Sequence, residues 1–275
     1  MKNTSLLRLF FLAGLSCVAA RSHAQWVKTN SFYGGYFTSF AVSGSKIFAG
    51  AYGDGLFVSS NNGTSWTKLN LADGAWINAL ALSPNAQGGT DIFVGANFGA
   101  VGEPNGVIRS TDNGQTWTEV TSGLTNLNVT ALTVASDGSG GTNLFAATNG
   151  GGLFRSSNKG GSWVEADAGL GHPSITSLVV SGTTLFAGAN YGGVFRSTNN
   201  GASWTLADSG MTNTYVTSLA VSADGADLFA GTDGGGVFRS SNNGAYWTAA
   251  NSGLANAHVW ALAVSGANVF AGTNG

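Results

Sequence analysis

Cysteine is all but missing from this 275-residue chain, and the single one, Cys17, falls inside its first two dozen residues. Lys2 and Arg8 precede an apolar run from Leu9 to Ala20 that is too short and too rich in small residues to span a bilayer. Ser22, His23 and Ala24 then supply small residues at the positions a signal peptidase inspects. Residues 1–24 are therefore expected to be a secretory signal peptide and Gln25 the mature N-terminus. Leu15, two places before Cys17, stands where lipid attachment would need a small residue. Residues 25–275 would then carry no disulfide, no thiolate chemistry and no membrane span. The expected location is secreted, periplasmic or at the cell surface.

Charge is also scarce, at 9% of residues. Without residues 1–24, the 11 basic residues lose Lys2, Arg8 and Arg21, which leaves eight against 13 acids and a net charge of −5. An acidic surface argues against nucleic acid as a partner. The two histidines beyond the leader, His172 and His258, are too far apart in the sequence pattern to form a ligand set with each other or with a cysteine, so neither a metal nor a cofactor is expected.

Glycine, by contrast, is abundant, at 43 residues, yet large apolar residues recur at regular intervals. Disorder would show the opposite, so the glycines mark turns. The recurring unit is a ten-residue box: "SSNNGTSWTK", "STDNGQTWTE", "SSNKGGSWVE", "STNNGASWTL" and "SSNNGAYWTA". Its tryptophans, Trp66, Trp117, Trp163, Trp204 and Trp247, are spaced 51, 46, 41 and 43 residues apart, the period of a propeller blade. Each period reads as four short strands. The first of them ("FTSFAV", "INALAL", "VTALTV", "ITSLVV", "VTSLAV", "VWALAV") alternates too little for a sheet wetted on one face, so both faces must be covered. A blade sandwiched between neighbouring blades meets that requirement, with the small residues of "LFAG" suited to the narrow end near the axis.

Within the box, the Asn or Asp at the third place can bond nearby backbone amides, the glycine takes a backbone angle other residues resist, and the tryptophan anchors the outer strand. The expected structural residues are Ser59, Asn61, Gly63 and Trp66; Ser110, Asp112, Gly114 and Trp117; Ser156, Asn158, Gly160 and Trp163; Ser197, Asn199, Gly201 and Trp204; and Ser240, Asn242, Gly244 and Trp247. The pattern S-x-(D/N)-x-G-x-(S/T)-W resembles the Asp-box, or BNR repeat, of sialidases, xyloglucanase-type glycoside hydrolases, sortilin-type receptors and photosystem II assembly factor-like proteins. It departs from that pattern in having Asn for Asp in four copies and Tyr246 for the small hydroxyl residue in the last. The resemblance implies an all-β propeller of four-stranded antiparallel blades over residues 25–275. Trp26 would open an outer strand without its three predecessors, and "NVFAGTNG" stops two strands into another unit. The expectation is five complete blades plus a partial blade at each end, six visible and a seventh in a longer protein, truncated at the C-terminus.

In Asp-box propellers the boxes lie opposite the functional face. The resemblance thus points to the loops between second and third strands, with Tyr52, Asp54, Asn97, Glu103, Asn149, Tyr191 and Asp233. It also points to the segments leading into the first strand, with Tyr36, Trp76, Asn128, Ser174, Tyr215 and His258. Tyr36, Tyr52, Trp76, Tyr191, Tyr215 and His258 are the candidate binding residues: aromatics beside amides suit a sugar or a peptide loop, and a plug for the channel is the alternative. A sialidase would need converging arginines, but Arg109, Arg155, Arg196 and Arg239 all occupy one repeat position before a box serine. They read as structural or solvated. A hydrolase of neutral polysaccharide would need only two carboxylates about 5–10 Å apart, for which Glu103 with Asp54 or Asp233 is the candidate. The favoured reading is a non-catalytic propeller that binds a protein or glycan; the alternative is a glycoside hydrolase.

Overall fold

The computed structural model describes residues 36–71, 74–85, 88–97, 105–171 and 174–274. The expected leader, Trp26, Glu103 and His172 lie outside them.

Five four-stranded antiparallel blades follow one another. Blade 1 comprises β1 (Tyr36–Ser43), β2 (Lys46–Tyr52), β3 (Gly55–Ser59) and β4 (Thr67–Lys68). Blade 2 comprises β5 (Trp76–Pro84), β6 (Thr90–Asn97), β7 (Gly106–Ser110) and β8 (Thr118–Glu119). Blade 3 is β9 (Val129–Ser136), β10 (Thr142–Thr148), β11 (Gly152–Ser156) and β12 (Val164–Glu165). Blade 4 is β13 (Ser174–Ser181), β14 (Thr184–Asn190), β15 (Gly193–Ser197) and β16 (Thr205–Leu206). Blade 5 is β17 (Val216–Val221), β18 (Leu228–Thr232), β19 (Gly236–Ser240) and β20 (Thr248–Ala249). A two-stranded piece, β21 (Val259–Ser265) and β22 (Asn268–Thr273), begins a sixth. Blades 1 and 2 are also joined by the pairing of Tyr52 with Trp76. The first strands touch one another in chain order, β1, β5, β9, β13, β17 and β21, so they are the inner strands of a propeller. Among the described residues β21 does not pack back on β1. Over the described strands the arc is open, and Phe40 and Val42 of β1 are exposed at one flank as Val269 of β22 is at the other.

Among the described residues there is no central core. Each seam between blades has its own apolar cluster: Phe48 and Leu56 of blade 1 join Ile77 and Ile92 of blade 2, and Phe93 joins Val129 and Trp163. Phe145 joins Ile175 and Trp204, Phe186 joins Val216 and Trp247, and Phe229 joins Val259. The glycine of "LFAG" is needed for this closeness. A Cβ on Gly188 or Gly231 would come within 2.6–2.7 Å of Val216 or Val259 of the next blade.

The box works as a turn of two consecutive left-handed residues. Asn61 Oδ1 accepts from the Ser65 amide at 2.9 Å, and Ser59 Oγ accepts from the Gly63 amide at 2.9 Å. The same pair of bonds recurs at Asn158 and Ser156, and at Asn199 and Ser197. The fourth residue is left-handed as well as the glycine: Asn62, Asn113, Lys159, Asn200 and Asn243 have φ of 54–62°. Asparagine tolerates that region better than most side chains, which explains its frequency there.

The indole has a longer reach than a hairpin anchor needs. Trp163, Trp204 and Trp247 donate from Nε1 to the carbonyls of Val120, Ala166 and Ala207, each in the preceding blade, at 2.7–2.8 Å. Trp66 instead bonds its own turn at Gly63, and Trp117 Nε1 is buried without a partner. The carbonyl in the matching position, on Leu69, is taken by the Leu71 amide.

The arginine column is structural. Arg155 and Arg196 donate to the carbonyls of Asn200 and Asn243 in the next blade's box, both at 3.2 Å. Arg239 pairs with Asp227 at 2.8 Å. Arg109 and Lys159, from adjacent blades, bracket the fully buried Asp91 at 2.8 and 2.9 Å.

Candidate binding face

In every blade the first strand starts, the second ends and the third starts at the same end of the sheet, whereas the box joins third to fourth strand at the other. The two variable sets of residues therefore share one face, and the boxes occupy the opposite one.

The two sets meet in pairs across the seams. Tyr52, ending β2, stacks on Trp76, starting β5, with ring centroids 4.5 Å apart and planes 18° from parallel. At the seam of blades 3 and 4, Ser174 Oγ donates to Asn149 Oδ1 at 3.2 Å. Tyr191 of blade 4 leans on Tyr215, which leads into β17, at 4.5 Å and 35°. Asp233 of blade 5 bonds His258 Nδ1, and the two residues also form a backbone bridge. Tyr36 opens β1 with 80% of its surface exposed.

Sequence reasoning missed what holds these residues in place. Asn126, Asn213 and Asn256 each stand two places before a residue of the first-strand column. Their Oδ1 atoms accept the amides of Asn128, Tyr215 and His258 at 2.8 Å. Their Nδ2 groups reach across to the carbonyls of Asn149, Asp233 and Asn274. One carboxamide thus clamps both loops of a blade, and its repetition in "TNLN", "TNTY" and "ANAH" was the available signal. A threonine column was missed as well. Thr130 and Thr176 donate to the carbonyls of Ile175 and Val216 on the next inner strand at 2.6 and 2.8 Å, and Thr38 and Thr217 bond Ile77 and Val259 in the same way. A strand irregularity at this point turns the hydroxyl outward toward the neighbour.

Tyr191 is conformationally unusual. Its φ is 58°, in a turn position that three other blades fill with Gly53, Gly150 and Gly234, at φ of 82°, 73° and 91°. A left-handed tyrosine costs about 1–2 kcal/mol, and with 77% of its surface exposed the side chain gains little from burial. Asn190, not Tyr191, occupies the place of Tyr52, Asn149 and Asp233 in the repeat, and its Oδ1 is buried without a partner.

In the hydrolase alternative Glu103 lies outside the described residues, and its two candidate partners, Asp54 and Asp233, come from blades 1 and 5. Asp54 sits in the β2–β3 turn, while the Asp233 carboxylate is engaged by His258. Among the described residues no three His, Cys, Asp or Glu side chains gather as metal ligands. Nor is any helix there long and apolar enough to cross a membrane. Two concavities lie away from this face. One of about 250 Å³ faces the axis between Val42, Leu80 and Val134, and one of about 350 Å³ lies between blade 5 and β21–β22 beside Asp224 and Phe229. The seam pairs on the loop face form a row in which Tyr36, Tyr52 and Tyr191 are exposed, a shape suited to an extended partner.

No family model and no curated protein matches the chain. Solved structures do match it in fold. The extracellular domain of BT4673 from B. thetaiotaomicron superposes with a TM-score of 0.66 at 16% identity, over 86% of this chain and 31% of that one. YCF48 bound to D1 peptide gives 0.61 at 16% identity, over 83% and 72%. The GH74 enzyme of Niastella koreensis gives 0.52 at 24% identity, over 74% and 29%. This chain spans about a third of the first and last of these proteins. Blades, seams and neighbours agree on one conclusion: the fold is an all-β propeller.

Proposed function

We propose that this chain is an exported, non-catalytic propeller of the Asp-box type whose loop face binds a protein or glycan partner. The observation that carries the reading is the row of seam pairs on the face opposite the boxes, in which exposed Tyr52 and Tyr191 rest on half-buried Trp76 and Tyr215, and Asn213 clamps the backbone of Tyr215. Such rings would gain more from covering by a partner than from their present exposure. Export rests on the leader of residues 1–24 and accords with the extracellular setting of the BT4673 domain. A binding role accords with the peptide carried by YCF48.

The test compares the full chain with a variant combining Tyr52→Ala, Trp76→Ala and Tyr215→Ala, on a glycan array and in cross-linking to surface proteins of the producing cells. Loss of a specific signal in the variant supports the reading. Equal signals, with folding verified by circular dichroism, overturn it. Release of reducing ends from a polysaccharide, abolished by Glu103→Ala, would establish a glycoside hydrolase instead.

A further inference from the structure

We infer that the Tyr191–Tyr215 step is a stacking platform for a pyranose ring of a neutral glycan. The inference rests on the loop-face reading and narrows it to one ligand class.

The strongest sign is where Tyr191 stands. Three blades place glycine in this left-handed position, and blade 4 places a tyrosine there. Folding does not recover the strain, because the ring is 77% exposed and rests on Tyr215 rather than in a core. Strain of this kind is retained where a site needs the side chain. The backbone that carries the ring beneath is fixed in advance: the Tyr215 amide is bound by Asn213, and the Asn213 Nδ2 is bonded to the Asp233 carbonyl at 2.9 Å. A ligand would therefore meet a surface that needs little ordering.

The chemistry around the step selects a neutral, hydroxyl-rich partner. The face of an aromatic ring is electron-rich and attracts the polarised C–H bonds on the flat side of a sugar. Beside it the flanking seams offer Asn149 with Ser174 and Asp233 with His258, which are amide, hydroxyl and paired side chains able to bond sugar hydroxyls. An anionic polymer finds no Lys or Arg here, because those of blades 4 and 5 are Arg196 and Arg239, at the box end of β15 and β19.

The experiment is affinity electrophoresis of the full chain in gels containing hydroxyethyl cellulose, galactomannan or arabinoxylan, with thermal unfolding measured on the same samples. Wild type should be retarded by at least one of the three. Tyr191→Gly, which restores the residue of the sister blades, should raise the apparent Kd about tenfold or more while leaving the melting temperature equal or higher. Tyr246→Ser, an exposed tyrosine on the box face, should bind as wild type. Unchanged retardation of Tyr191→Gly, or a lowered melting temperature showing that Tyr191 serves folding, overturns the inference. So does a wild type that none of the gels retards. In that last case the broader loop-face reading still stands if the Tyr52, Trp76 and Tyr215 variant loses a protein partner, and falls with it if nothing is lost.

Discussion

Trp204 Nε1 donates to the carbonyl oxygen of Ala166 at 2.8 Å, across the seam from blade 4 to blade 3 and 38 residues back along the chain. The same tryptophan's backbone amide is bonded to Ala168, also at 2.8 Å. One residue thus holds the blade before it through two bonds, and because the indole bond repeats at Trp163 and Trp247 the seams are stitched in series.

Removing that indole donor should weaken the seam. Trp204→Phe leaves the Ala166 carbonyl unsatisfied and is expected to cost about 1–3 kcal/mol. Trp117→Phe should cost about 1 kcal/mol less, because Trp117 Nε1 is buried without a partner and its loss strands nothing. Urea unfolding of the two variants checks the difference; equal losses would contradict the seam bond.

Gly169 and Gly253 share a repeat position and both have positive φ, 94° and 81°. A Cβ on Gly169 would run into the Trp204 carbonyl, whereas one on Gly253 meets nothing within 4 Å. Gly253→Ala should cost only its backbone strain, about 1–2 kcal/mol. Gly169→Ala should cost about 3 kcal/mol or more through overpacking added to that strain. Thermal melts of both variants would reveal the gap.

Asp91 is fully buried between Arg109 and Lys159. Asp91→Ala would leave two cations facing each other across a seam and should cost about 3–5 kcal/mol. Lys159→Asn, which restores the residue of the sister boxes, should cost no more than about 1 kcal/mol, because Lys159 is one-third exposed and Arg109 still pairs with the carboxylate. Chemical denaturation would rank the two, and the reverse order would refute this account of the triad.

Asp112 alone keeps the carboxylate of its box pattern. The Thr116 hydroxyl first, then the Thr116 amide and the Ser110 hydroxyl, hold its pKa well below the ordinary carboxylate range. A depressed folded pKa means stability that is fully present above about pH 4 and is lost as pH falls further. Asp112→Asn should fold with the same turn as its sister boxes and lose less stability between neutral and strongly acid pH than wild type. Melting temperatures across that range provide the measurement.

How much of this could be read beforehand varied with the span of each interaction. The box turn was legible at Ser59, Asn61 and Gly63 because its donors and acceptors lie within six residues of one another. The strand order within a blade and the five complete blades were legible because the apolar pattern repeats. The partner of each indole was not, since a carbonyl about 40 residues away comes within reach only when blades stack. Thr130, Gly169 and Asn213 were visible as repeats without a purpose, and each acquires one from a neighbour that is distant in the chain. Tyr191 could have been singled out by aligning it with Gly53, Gly150 and Gly234, although its left-handed backbone and its contact with Tyr215 belong to the folded turn.

Local chemistry therefore sufficed for the blade: glycines and short polar side chains shape turns through bonds that do not depend on anything remote, and paired apolar runs make the strands between them. The stacking of blade on blade settled the rest, including which side chains face each other on the loop surface and which indole lacks an acceptor. Those outcomes depend on distances between residues some 40 positions apart, and such distances exist only once the sheets have packed.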